Sequence, residues 1–478
     1  MTRIDVGRSP EIRSALASLA LLVVIAASGC ASSPHHGNAV CRELIARPDL
    51  RDKLGVGLRR AIAKASESDA MKVEVTSSTT CPAIVSMDVR SSKAVKLGDV
   101  LESHSIEMAG DRIYLKNIYP DGSRPLRPAL LNAICLAAFS PAVMKIDFEE
   151  GVSVSFDKVT AASNGDWMDV THVRNVKPLE KSARIVASID KGTAYTDHED
   201  LPKGALMKRL KVTHLLDANG ACPVGNCCSE TSEPSNDHAT QIAGTIAAMR
   251  DNNLGIDGLA KPSVFVSIDA TSSEDCTLSH HIAAGISCAL KEHASIVNLS
   301  FGDATQSSSD LESVLHQAAP NALVVVAAGN SSIDLDKFPR WPASDNGPTT
   351  ITATTVDVVW DTLKLNARGA NTVDIAVPID SSEVQSTSNC STHCYADYAG
   401  TTSAAAAIVS GTALSLWDRP KYRQCSAEQI RKLLMACARV PNDQYAHENI
   451  SQSGGVLDFS FLESSAIAEP CECPSPHP

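Results

Sequence analysis

Hydrophobic and polar positions give the chain two textures. From residue 184 to 465, continuous apolar runs of strand length alternate with helical periodicity. The runs are Arg184–Ile189, Val264–Ile268, Ser295–Leu299, Ala322–Val326 and Thr350–Thr354. Between them Leu278, Ile282, Ile286 and Leu290 recur at the spacing of one helix face, and Leu311–Ala319 predicts a second helix. Ser426 and Gln429 stand at capping-box spacing ahead of a helix reaching Cys437. Uninterrupted apolar strands need cover on both faces. The pattern therefore predicts an α/β fold with a doubly wound, mostly parallel sheet and helices on both faces.

Residues 41–160 read as a separate, smaller α/β unit. Strands are predicted at Met71–Thr76, Asp111–Ile118, Val143–Phe148 and Val152–Phe156, and helices at Leu50–Lys64, Leu97–His104 and Leu126–Phe139. Pro128 falls in the first turn of the last helix, where a missing N–H costs nothing. The polar stretch 161–183 reads as a linker, and 466–478 as a disordered tail.

The N-terminus sets the compartment. Three arginines precede the apolar run Leu16–Ala27, and small residues follow. This order reads as an export signal over 1–29, and the run is shorter than the ~20 residues a membrane helix needs. The sequence Ala26-Ala27-Ser28-Gly29-Cys30 resembles a bacterial lipoprotein signal. That resemblance implies cleavage before Cys30, a lipid on Cys30, a tether over 30–40, and a protein anchored in the membrane and facing periplasm or cell surface. The alternative is full secretion. A net charge of −13 over 478 residues argues against a nucleic-acid partner, which requires a basic surface. Fifteen cysteines point to disulfides and an oxidising compartment. With Cys30 set aside, Cys41, Cys81 and Cys135 fall in the first unit. Nine more lie in the large unit, and Cys471 and Cys473 in the tail. Two odd sets predict a bridge leaving the first unit.

Candidate chemistry comes from four positions. Asp190 ends the run Arg184–Ile189, and ligands in such sheets gather at the carboxyl ends of strands. His238 follows Asn236 and Asp237, either of which can cap a helix starting there. Ser403 opens an alanine-rich helix whose N-terminal amides favour developing negative charge. Asn330 ends Val325-Val326-Ala327-Ala328-Gly329, placed to offer an amide to an oxyanion. Acyl transfer needs such a set: a hydroxyl, a base to take its proton, a carboxylate to hold the base, and oxyanion donors.

The segments around these residues resemble the subtilisin-like serine peptidases, the subtilases. RIVASIDKG is similar to that family's aspartate segment, HATQIAGTIAA to its histidine segment and TTSAAAAIVSG to its serine segment. Asn252–Pro262, Asn298–Gly302, Val324–Asn330 and Trp341–Ser344 also match in order. The resemblance implies an endopeptidase in which Ser300, Phe301 and Gly302 pair with extended substrate. Ala327, Ala328 and Gly329 would line the pocket before the scissile bond, and the first unit would be a prodomain. It implies no cofactor, although some members bind calcium; the Asp251-Asn252-Asn253 stretch is too sparse in ligands to define a site.

The sequence departs from the family at Lys191, Ala239, Gln241, Thr401 and Ala407. Lys191, Ala239 and Thr401 motivate a rival reading, a catalytically silent scaffold of the same fold at the envelope. A dedicated peptide-precursor maturation peptidase is a further alternative. His280 and His281 face different ways on a helix and are expected on a solvated face rather than at a metal. Cys222, Cys227 and Cys228 are expected in disulfides rather than on zinc.

Overall fold

The computed structural model describes most of residues 182–462. N-terminal to them it describes chiefly 83–89, 105–110, 112–116, 142–150 and 152–153. The export signal, Cys30, the tether, the tail and most of the linker lie outside the described residues. So do the strand expected at Met71–Thr76 and the helix at Leu50–Lys64 apart from two positions. Among the described residues no helix is long and apolar enough to cross a membrane.

The N-terminal unit contains strands β1 (Ala83–Val89), β2 (Ser105–Ala109), β3 (Arg112–Lys116) and β4 (Val143–Glu150). They form an antiparallel sheet in the order β2-β3-β1-β4. β3 and β4 fall where alternation predicts them. β1 and β2 are further strands beyond the predicted set, although Val85, Met87 and Val89 alternate with Ser86 and Asp88 in the first and Glu107 separates Ile106 from Met108 in the second. The expected Val152–Phe156 strand survives as β5 (Val152–Ser153), which leaves this sheet altogether.

The large unit carries an eight-stranded sheet. Its members are β6 (Ile185–Asp190), β7 (Met207–Val212), β8 (Cys228–Glu230), β9 (Val264–Asp269), β12 (Ala294–Leu299), β13 (Leu323–Ala327), β14 (Thr350–Val356) and β15 (Ile375–Pro378). The order is β15-β14-β13-β12-β6-β9-β7-β8, parallel throughout except for the β7–β8 pair. Two short strands after β9, β10 (Thr271–Ser273) and β11 (Cys276–Thr277), pair with each other, and β11 pairs antiparallel with β5. A separate hairpin joins β16 (Val384–Thr387) and β17 (Tyr395–Tyr398).

Helices cover both faces, as the continuous apolar strands require. On one face lie α1 (Asp237–Ala247), α4 (Thr402–Trp417) and α5 (Ala427–Ala436); on the other lie α2 (Ser279–Lys291) and α3 (Ser309–Ala318). Strand alternation divides the core. Leu323, Val325 and Ala327 pack towards α4, while Val324, Val326 and Ala328 pack towards α2 and α3. Ser426 and Gln429 close both halves of the capping box that starts α5.

The N-terminal sheet docks on the α2/α3 face, and Tyr114 and Ala109 join that core. The Tyr114 hydroxyl donates to the Leu216 carbonyl at 2.7 Å. Arg112 pairs with Asp88 of its own unit and with Asp310 of α3, and His280 Nδ1 lies 3.0 Å from Asp310 Oδ2. This corrects the expectation of a solvated His280-His281 face. Both histidines are buried, and the His280 ring meets Tyr114 of the N-terminal unit edge-on.

Four cysteines of the large unit form bridges Cys222–Cys227 and Cys228–Cys288, and Cys425 and Cys437 are also disulfide-bonded. The Cys222–Cys227 bridge closes the short loop before β8 and Cys228–Cys288 clasps β8 to α2; both fit the disulfide expectation for these cysteines.

Candidate active site

The site is assembled at the carboxyl edge of the sheet from three turns. β6 is a central strand, and its last residue, Asp190, is buried beside Asp269 at the end of β9. The Lys191 amide donates to Asp190 Oδ1 at 2.6 Å. Lys191, a departure from the family pattern, thus supports the carboxylate through its backbone. Gly192 then adopts φ +80, and a Cβ there would lie 2.7 Å from the Cβ of Asn236. Only glycine lets this turn press against the start of α1.

Asn236 is the cap of α1. Its side-chain oxygen accepts the amides of His238 and Ala239. The cap fixes His238 in the first turn, where its Nδ1 lies 2.9 Å from both Asp190 oxygens. That contact is buried on both sides, with side-chain exposures of 7% and 1%, so it is little screened by solvent. Ala239 is buried. Gln241 offers its carbonyl to Ser386 at 2.6 Å.

Ser403 lies in the first turn of α4, with Thr401 as cap: the Thr401 hydroxyl accepts the Ala404 amide. The departure at Thr401 is therefore a helix cap. Ala407 is buried further along the helix. The Ser403 hydroxyl donates to the Ser300 carbonyl at 2.9 Å. Asn330 follows Gly329, which has φ 110. The Asn330 side-chain oxygen accepts from the Thr402 amide at 3.0 Å and the Thr402 hydroxyl at 2.9 Å, while the Gly329 amide donates to that hydroxyl at 3.0 Å. With its oxygen committed to Thr402, the carboxamide turns its NH2 the other way.

Thr402 is a residue that pattern reading missed. Its neighbours Thr401 and Ser403 drew attention, and only the fold shows that it ties the Asn330 turn to the serine helix. Ser300 and Phe301 are buried at the end of β12, Ala327 and Ala328 are packed in the core, and Gly329 is half-buried. Gly302 lies outside the described residues. β10 and β11 leave the carboxyl end of β9, next to Asp190, and form a strand edge the sequence did not reveal.

Asp200 accepts from Asn252 Nδ2 at 2.7 Å and the Ile256 amide at 3.0 Å. Burial pushes its carboxyl up from the ordinary value. Asn252, from the acidic stretch considered for calcium, is thus spent on a protein carboxylate. Among the described residues no three His, Cys, Asp or Glu side chains gather as a metal-binding set.

A buried carboxylate–imidazole pair, a hydroxyl at a helix N-terminus and a turned-out amide are the groups of nucleophilic acyl transfer. Comparison with known proteins gives the class. The subtilase family profile matches residues 182–456, and the chain belongs to this family of serine peptidases. Subtilisin of Bacillus pumilus is 29% identical over 214 residues, 44% of this chain and 74% of that protein. Thermostable alkaline protease of Halalkalibacterium halodurans is 28% identical over 169 residues, 33% of this chain and 46% of that protein. The chain thus spans less than half the length of that protease. Among solved structures, the epidermin leader peptide processing serine protease from Staphylococcus aureus superposes with a TM-score of 0.57 at 18% identity, covering 78% of this chain and 96% of that one. At that identity the likeness is one of fold.

Proposed function

We propose that the chain is an exported serine endopeptidase acting through Asp190, His238 and Ser403, with the N-terminal unit as its prodomain and Cys30 as a lipid anchor. The observation that carries the reading is the 2.9 Å contact of His238 Nδ1 with both oxygens of Asp190. That contact commits Nδ1 as the donor and leaves Nε2 as the basic nitrogen.

In this reading extended polypeptide pairs with the strand edge at Ser300, Phe301 and Gly302, and the pocket before the scissile bond is bordered by Ala327, Ala328 and Gly329. The Ser403 hydroxyl leaves the Ser300 carbonyl and gives its proton to His238 as its oxygen attacks the peptide carbonyl. Asp190 stabilises the imidazolium. Asn330 and the Ser403 amide receive the oxyanion, a type of contribution worth on the order of 3 kcal/mol per donor. His238 returns the proton to the leaving amine, and water then hydrolyses the acyl-enzyme. No cofactor takes part.

The prodomain role is supported by the docking of the N-terminal sheet on α2 and α3, and by β5, which pairs with β11 beside the site. At the departures Lys191, Ala239 and Thr401 the backbone amide, the buried methyl and the helix cap fit the local fold, so the labelling experiment separates an active enzyme from a silent scaffold. Fluorophosphonate labelling tests this. Wild type should be labelled after activation and Ser403→Ala should not. Absence of labelling in wild type under every activating condition would sink the enzyme reading.

A further inference from the structure

The sheet, the serine helix and the Ser300 segment meet at one buried amide. Asn298, in β12, is fully enclosed. Its Nδ2 donates to Ser188 Oγ at 3.2 Å and to Ser300 Oγ at 2.7 Å, and its Oδ1 accepts from Ser410 Oγ at 3.0 Å. Both amide hydrogens are used and the oxygen is held. All three partners are buried as well.

Each partner leads to a different part of the proposed site. Ser188 is two residues before Asp190 on β6 and on the same face, because strand side chains alternate. It is also the register partner of Asn298 in the β6–β12 pair. Ser410 is seven residues after Ser403 on α4, two helical turns along nearly the same face. Ser300 is the residue whose carbonyl holds the Ser403 hydroxyl. A chain of hydrogen bonds and rigid backbone thus runs from Asn298 to the carboxylate strand, to the nucleophile's helix and to the nucleophile's acceptor.

We infer that Asn298 is a positioning residue for the reaction, fixing Asp190, Ser403 and the Ser300 edge relative to one another without touching substrate. The inference rests on the peptidase reading above. A leucine of similar size would fill the space but join none of the three elements, so the amide is placed for geometry rather than volume. Misplacement of reacting groups by about 1 Å costs on the order of a hundred-fold in rate.

The test is steady-state kinetics on the full chain, well below the melting temperature, with Asn298→Ala, Ser300→Ala and Ser415→Ala compared. Ser415 is a buried serine of the same helix whose hydroxyl donates to the Leu259 carbonyl at 2.7 Å, outside the network. Asn298→Ala should lower kcat by about ten- to a hundred-fold with KM changed by less than about three-fold. Ser300→Ala, which removes one arm of the network, should lower kcat by about three- to ten-fold. Ser415→Ala should lower the melting temperature and keep kcat within about two-fold of wild type. The inference is overturned if Asn298→Ala is folded and retains wild-type kcat, or if all three variants lose kcat in proportion to their loss of stability. Should Asn298→Ala not fold, Ser300→Ala decides by the same criterion. An inert wild type is a separate result: it removes the peptidase reading and the inference with it.

Discussion

The Arg112–Asp310 pair makes the docking of the N-terminal unit testable. Arg112 and Asp310 are both about 96% buried at their side chains. Burial opposes charge on Arg112, but Asp88, Tyr114 and Asp310 outweigh it and drive its pKa further up. Burial alone would raise the Asp310 carboxyl; the hydrogen bond and charge of His280, with Arg112, instead hold it down at about 2. Asp310→Asn keeps the shape and removes the charge. Breaking a buried ion pair costs about 3–5 kcal/mol. Arg112 keeps Asp88, so the low end applies, about 3 kcal/mol. That is about a hundred-fold in the population of the undocked state.

Amide hydrogen exchange on the full chain reads it. Exchange of β1 and β3 should accelerate by about a hundred-fold in Asp310→Asn, while β12 and β13 keep their protection. The pH dependence has a definite sign. The folded carboxyl titrates below its ordinary value of 3.8, so its contribution is fully present above about pH 4 and is lost as pH falls towards 2. Variant and wild type should therefore converge across that window, after correction for intrinsic exchange. Unchanged β1 and β3, or equal loss in every strand, would show that this pair does not hold the unit in place.

Three further outcomes are expected. Thr402→Val deletes the hydroxyl that bridges the Gly329 amide and Asn330 while keeping the Thr402 amide contact, so kcat on a peptide substrate should fall about ten-fold with little change in KM. Gly244→Ala puts a methyl against the hydroxyls of Ser386 and Thr387 and should destabilise by about 1–3 kcal/mol in chemical denaturation, with His238-dependent labelling reduced in parallel. Replacing Cys228 and Cys288 together by alanine releases a bridge spanning 60 residues, worth about 4 kcal/mol on the chain-entropy account; an unchanged melting curve would argue against that loop being restrained in the unfolded chain.

The parts legible in the sequence share one property: their causes are local. β6, β9, β12, β13 and β14 appeared as apolar runs because both faces of each are buried. The caps at Asn236 and Ser426 were visible because a cap and its helix are adjacent in the chain. β7 was hidden because Lys208, Arg209 and Lys211 break its pattern; they are only half-buried near the sheet's edge. The burial of His280 was illegible for a different reason: its partner Asp310 also holds Arg112, which is 198 residues away in the chain. Thr402 and Asn298 show the same limit within the site. Each looked like an ordinary polar residue in a motif, and its role depends on partners brought together only by the sheet.

All sixteen residues of α4 are buried, so this helix has no outer face. Thr402 to Trp417 cannot drift by neutral surface exchange, since every position has a neighbour to satisfy. Nor can a ligand reach the serine by binding along its helix. Approach to this centre is therefore by the carboxyl rim of the sheet, beside which β5 meets β11. The helix itself acts as a fixed axle around which only loops and coverings are free to change.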